Sequence, residues 1–267
     1  MKQATRRRIC VAALGALIFS PAAWAEELVS LVSPRPDVAL KLLVLPADKP
    51  VAAVILFAGG HGAIGLSGST GGPSIGWGKN NFLVRTRGDF AQAGLLVAVV
   101  DAPSDHSGST GMLGGFRASK EHAQDIEAVV RYLKGRADVP VWLVGTSRGT
   151  ESAANAAIRV PGVAGLVLTS SLTQPNKKGV EVLAMKLEDI RVPTLVVAHK
   201  DDECEHTPPA DASRLAKRLV NSPRVELKML HGGKPAKSAA CEALSAHGFF
   251  GVEQEAVDTI VGFIKNR

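Results

Sequence analysis

Ser147, in the run Gly145-Thr146-Ser147-Arg148-Gly149, is the residue whose setting most clearly suggests chemistry. A serine hydroxyl is a weak nucleophile until a base takes its proton. It also needs donors aimed at the charge that grows on an attacked carbonyl oxygen. G-x-S-x-G meets part of that need where a strand runs into the motif and a helix leaves it. Val141-Trp142-Leu143-Val144 precedes the motif and an Ala-rich segment, Glu151–Arg159, follows it, so strand, sharp turn and helix are all expected. Such a turn strains the serine and lifts its oxygen above the sheet, beside a helix N-terminus that favours negative charge. An ordinary Gly-rich strand–helix connection would carry the same five residues, so the reading depends on what the chain can bring to Ser147. Two histidines lie beyond the last strand-like run, His231 in Leu230-His231-Gly232-Gly233 and His247 in His247-Gly248-Phe249. Carboxylates cluster in Lys200-Asp201-Asp202-Glu203. A third feature, Phe57-Ala58-Gly59-Gly60-His61-Gly62, has glycines that allow the backbone to approach a substrate closely.

The elements that must position these residues alternate along the chain. Leu28–Val32 and Val38–Leu45 come first, and their Pro-rich connection is short enough only for an antiparallel pair. Ala53–Phe57, Leu95–Asp101, Val141–Gly145, Gly165–Ser170, Thr194–His199 and Val225–Leu230 are near-continuous apolar runs, as expected of strands covered on both faces. Between them lie helical patterns: Ile126, Val129, Val130 and Leu133 share one face, as do Ala212, Leu215, Ala216 and Leu219. Val257, Ile260, Val261 and Ile264 mark a final helix. This alternation predicts one α/β domain with a mostly parallel, doubly wound sheet. Residues 58–78 are rich in Gly and Ser, and the stretch from Gly62 to Gly78 could fold over a pocket. Residues 172–192 are too short for a large cap domain.

On Ser147 after the fifth strand candidate, and on eight strand candidates in order, the chain resembles the α/β-hydrolase family across nearly all of residues 26–267. The resemblance implies a three-layer fold, a mostly parallel eight-stranded sheet with helices on both faces. It further implies the chain order Ser, Asp, His. The carboxylate follows the seventh strand, which points to Asp202 with Asp201 in reserve. The histidine lies on the loop before the last helix, commonly followed by a small residue and an aromatic, which favours His247 over His231. One oxyanion donor follows the third strand and another follows the nucleophile, implying the backbone N–H groups of Gly60 (or His61) and Arg148. The Arg148 side chain departs from the small or apolar residue common there; a surface ion pair and a contact to an anionic substrate group are both open. His61, His106, His122, His199 and His206 have no such constellation. Cys204 and Cys241 would form a disulfide tying the acid loop to the base loop, since loops that carry adjacent members of a triad must be neighbours.

Residues 1–25 form a basic start, an apolar run from Ile9 to Phe19, and Ala23-Trp24-Ala25, the pattern of a cleaved secretory signal. The run is shorter than the roughly 17–25 residues that span a bilayer, so no stable membrane insertion is expected after cleavage. Cys10 would be lost with the leader. Lys2, Arg6, Arg7 and Arg8 supply four of the 31 basic residues and none of the 25 acidic ones, so cleavage lowers the net charge from +6 to +2. No concentrated basic patch then points to nucleic acid. No metal-ligand spacing and no phosphate-cradling Gly-rich fingerprint point to a metal or cofactor. The expectation is therefore a periplasmic or secreted ester hydrolase, working through an acyl-enzyme on a small-molecule or acyl substrate. The same parts would serve an amide, thioester or lactone, and a non-catalytic binding protein of this fold is the reading from another class. Neither oligomeric state nor acyl preference is written in the residues.

Overall fold

The computed structural model describes residues 25–266, so the expected leader lies outside the described residues except for Ala25. Two strands, β1 (Glu27–Val32) and β2 (Ala39–Leu45), form the expected antiparallel pair. They are followed by β3 (Ala52–Phe57), a two-stranded ribbon of β4 (Leu66–Ser69) and β5 (Gly72–Ile75), and β6 (Leu95–Val100). The remaining strands are β7 (Val141–Thr146), β8 (Gly165–Thr169), β9 (Thr194–His199) and β10 (Val225–Leu230). The main sheet has eight strands in the order β1-β2-β6-β3-β7-β8-β9-β10. β2 pairs antiparallel with both neighbours, and every pairing from β6 to β10 is parallel.

Side chains on successive strand residues point to opposite faces, and here both faces are dry. Ala53, Ile55 and Phe57 of β3 enter one core, together with Ile126, Val129 and Leu133 of α3 (Lys120–Arg136). That core also takes the Ala-rich face of α4 (Gly149–Arg159) and Leu215 of α5 (Asp211–Arg218). Ala52, Val54 and Leu56 enter the other core, with α1 (Phe82–Arg85), α2 (Arg87–Gln92) and α6 (Glu253–Lys265). This two-sided burial makes a three-layer molecule from apolar runs that show no alternation. β10 is one of the two edges, and Glu226 and Lys228 keep it charged. No described helix is long and apolar enough to cross a membrane.

Two features depart from the sequence pattern. The β4–β5 ribbon arises in a Gly/Ser stretch with little strand propensity, because Leu66 and Ile75, paired across it, are both buried in the second core. Hydroxyls of Ser67 and Ser74 meet across the same ribbon at 2.7 Å. The short helices α1 and α2, of four and six residues, are too short to display a helical period. Residues 172–192 carry a tight turn closed by the Asn176–Gly179 bridge and two single helical turns, Val182–Ala184 and Leu187–Asp189, with Val182, Leu187 and Ile190 buried in the first core.

Candidate active site

Ser147 leaves β7 with φ +53°, a left-handed backbone that a non-glycine residue adopts only when its surroundings impose it. Those surroundings are tight. A Cβ on Gly149 would collide with the Phe57 carbonyl oxygen at the end of β3, and one on Gly145 would collide with the Gly149 carbonyl. The two motif glycines are therefore required by close approach of strand and helix. The Ser147 N–H donates to the Thr169 carbonyl at 3.0 Å, which fixes the turn against β8.

Asp202 and His247 come from loops after β9 and β10, at the same C-terminal end of the parallel strands as Ser147, and meet. Asp202 follows β9, is buried, and its Oδ1 accepts from the Cys204 N–H at 2.9 Å. Its Oδ2 lies 3.0 Å from His247 Nδ1 and accepts from the Thr207 hydroxyl at 2.9 Å. Thr207 Oγ1 is itself 3.0 Å from the same imidazole nitrogen. A carboxylate accepts, so the Asp202–His247 contact is made through a proton on Nδ1. Asp201 is an exposed side chain with no bond to His247; its Oδ2 accepts weakly from the Gly232 N–H at 3.4 Å. His231 is likewise exposed. Of the paired candidates, only Asp202 and His247 come together.

The loop that carries His247 is held on several sides. The Ser170 hydroxyl donates to the His247 carbonyl at 2.8 Å. Phe249, at φ +57°, buries its ring against Phe82, with centroids 4.9 Å apart. Gly248 has no room for a Cβ beside the Ala243 carbonyl. Arg85 of α1 donates to the Gly248 carbonyl at 2.6 Å and to the Ala243 carbonyl at 3.2 Å, and pairs with Glu253 at 3.0 Å. Cys204 and Cys241 are joined in a disulfide, so the acid loop and the base loop are covalently linked.

Ser147 and His247 line one cavity of about 590 Å³, together with Gly60, Trp77, Asn81 and Cys241. No hydrogen bond joins the Ser147 hydroxyl to His247 among the described residues; such bonds are commonly loose until a substrate is bound. Gly60 has φ +60° and packs under the Trp77 ring, which fills the space a Cβ would need. Neither the Gly60 N–H nor the Arg148 N–H has a protein acceptor among the described residues. The stretch 76–82 borders the cavity, so the Gly/Ser-rich segment does reach the site, through its C-terminal end. The Arg148 guanidinium, in contrast, turns away to Asn176 at 2.7 Å and to Glu151 at 3.6 Å. It is not among the cavity's lining, which leaves the ion-paired alternative and not the substrate contact.

Several supporting residues carried no sequence signal. Arg117 is fully buried behind the Gly59-Gly60 loop, where it donates to the Ala58 carbonyl at 2.9 Å and the Ser152 hydroxyl at 2.7 Å. Burial pulls its pKa down to about 10, with the Glu151 carboxylate opposing that shift. Asp101, at the end of β6, accepts the N–H groups of Ile64, Gly65, Leu66 and Ala102, fixing the chain beyond the loop. A lone Arg or Asp far away in sequence reads as surface charge, so neither could have been picked out. Asn81 caps α1, but a helix of four residues shows no period that would make its capping residue readable. Among the described residues, no group of three His, Cys, Asp or Glu side chains is placed to hold a metal ion.

A mostly parallel sheet with an antiparallel start, helices on both faces and a left-handed serine turn after β7 defines an α/β-hydrolase. Residues 81–232, more than half of the chain, match the family described as serine aminopeptidase, S33. The chain belongs to that family of hydrolases. No curated protein matches it by sequence. An esterase of Pyrococcus furiosus is similar in structure, with a TM-score of 0.62 at 15% identity over 91% of this chain and 92% of that one. A highly thermostable carboxyl esterase of Bacillus coagulans gives 0.59 at 14% identity over 90% and 98%. An α/β serine hydrolase without a lid, from Xanthomonas campestris, gives 0.53 at 18% identity over 88% and 95%. At such identities the likeness is one of fold.

Proposed function

We propose that this chain is an exported serine hydrolase that cleaves carboxylic esters through an acyl-enzyme. Ser147 is the nucleophile and His247 Nε2 the base that takes its proton. Asp202 holds the imidazole in the required tautomer and stabilises its cation, and Thr207 supports that pair. The N–H groups of Gly60 and Arg148 receive the oxyanion. Once the leaving group has taken its proton from His247, water attacks the acyl-enzyme with the same histidine as base. The observation that carries this reading is that His247, bonded to Asp202, shares one cavity with Ser147 on its left-handed turn.

Ester chemistry is supported by the esterases among the structural neighbours, and an open site by the lidless one. The family's description as aminopeptidases favours amide hydrolysis as the second reading, since the same residues would protonate a leaving amine. Export is supported by the leader pattern and by a disulfide, a bond that persists in oxidising compartments. The test is labelling of the folded protein by a fluorophosphonate probe. Wild type is expected to label and Ser147→Ala not to; a folded wild type that resists the probe defeats the proposal. Mass analysis of the labelled protein from periplasmic or culture fractions checks cleavage after Ala25.

A further inference from the structure

We propose that Asn81 supplies a third, side-chain donor to the oxyanion, beyond the two backbone N–H groups; the inference rests on the serine-hydrolase reading above. Asn81 stands immediately before α1, and its Oδ1 accepts the Leu83 N–H at 3.2 Å. Its own N–H donates to the Gly78 carbonyl at 2.8 Å. Together these bonds fix the amide, because an oxygen held by a backbone donor leaves the NH2 group to point the other way. That group borders the space beside Gly59. The position a Cβ would take on Gly59 lies 3.5 Å from Asn81 Nδ2 and 3.0 Å from Ser147 Cβ. Asn81 Nδ2 and Ser147 Cβ thus border the same space, which Gly59 leaves without a side chain. Asn81 lines the same cavity as Ser147, Gly60 and His247, and its Nδ2 has no protein acceptor among the described residues.

Its placement is also rigid with respect to the base. Arg85 reaches the carbonyls of both Asn80 and Gly248, so one guanidinium ties the Asn81 segment to the loop of His247. A fixed donor that no protein group occupies gains most when charge appears on a substrate carbonyl oxygen, and little when a neutral ester enters. The signature is a loss in kcat with KM almost unchanged. Asn81→Ser keeps a hydroxyl able to cap Leu83 but too short to reach the oxyanion. Asn81→Asp keeps the shape and the capping oxygen but replaces the donor with an acceptor.

With p-nitrophenyl acetate, Asn81→Ser is expected to lower kcat on the order of 10²-fold, the range for one oxyanion donor. KM should stay within about threefold, as expected when the lost contact forms in the transition state alone. Inhibition by an alkyl trifluoromethyl ketone, which forms an oxyanion on Ser147, should weaken by a similar factor, while a melting curve stays at the wild-type position. Asn81→Asp should lose at least as much kcat, and it serves as the variant should the serine change disturb folding. Wild-type kcat in either folded variant overturns the proposal, and so does a loss confined to KM with unchanged ketone affinity. A wild type that neither turns over the ester nor labels with fluorophosphonate defeats the hydrolase reading together with Asn81. Normal labelling with indifferent Asn81 variants defeats Asn81 alone.

Discussion

Removing the Cys204–Cys241 disulfide offers two separable readouts. The bonded cysteines are 37 residues apart in sequence. In the loop-entropy description, a cross-link of that span withdraws about 4 kcal/mol worth of freedom from the unfolded chain at 25 °C. For a domain of this size each kcal/mol moves the Tm by roughly 2–4 °C. The double variant Cys204→Ala/Cys241→Ala, which leaves no free thiol, should therefore melt about 8–16 °C lower. The bond also acts locally. Cys204 is adjacent to the carboxylate through its N–H bond to Asp202, whereas Cys241 begins the turn that ends at His247 and lines the cavity. Displacement of a reacting group by about 1 Å can cost on the order of 10²-fold in rate, so kcat at 25 °C should fall by about tenfold or more. The assays are urea and thermal denaturation together with p-nitrophenyl acetate turnover well below the transition. A variant that melts within 2 °C of wild type (roughly one kcal/mol or less) refutes the entropic part. A lowered melt with unchanged kcat refutes the positioning part.

Two further outcomes are expected. Asp202→Asn should lower kcat on the order of 10⁴-fold, because an amide cannot hold His247 in the required tautomer; Asp201→Asn should stay near wild type, and equal losses in steady-state kinetics would undo the assignment. His122 lies between Phe57 and Phe116 with neither ring nitrogen hydrogen-bonded, and burial pushes its pKa down to about 3, with the nearby Arg117 and Arg35 charges adding to the shift. In the unfolded chain it titrates near 6.5. Its contribution is thus full above pH 6.5 and is lost as pH falls toward 3, where protons bind the unfolded chain first. His122→Phe should flatten the acid limb of the urea midpoint measured against pH, and an unaltered limb would contradict that account.

The α/β layout was legible because its strands are buried on both faces. Runs such as Leu95–Val100 and Thr194–His199 need no alternation when both sides are apolar, and their ends were readable to within a residue or so. The β4–β5 ribbon was illegible for the opposite reason. Gly and Ser give no strand period, and Leu66 and Ile75 acquire a face only when the second core receives them. At the site, the five-residue motif located Ser147 locally, while Asp202 and His247 needed a family order to be chosen over Asp201 and His231.

What the sequence determined by itself is the set of local conformations: a strand into a glycine-flanked turn, a helix beyond it, and the spacing of the later loops. What tertiary structure alone decided is which distant groups face one another. Thr207 completes the Asp202–His247 pair, Arg117 grips the Ala58 carbonyl from inside the core, and Asn81 and Ser147 border the same space beside Gly59. The physical reason is range. Backbone preference and hydrophobic period act over a few residues, whereas a hydrogen bond between residues 45 apart, such as that from His247 to Asp202, exists only after the sheet has closed the distance.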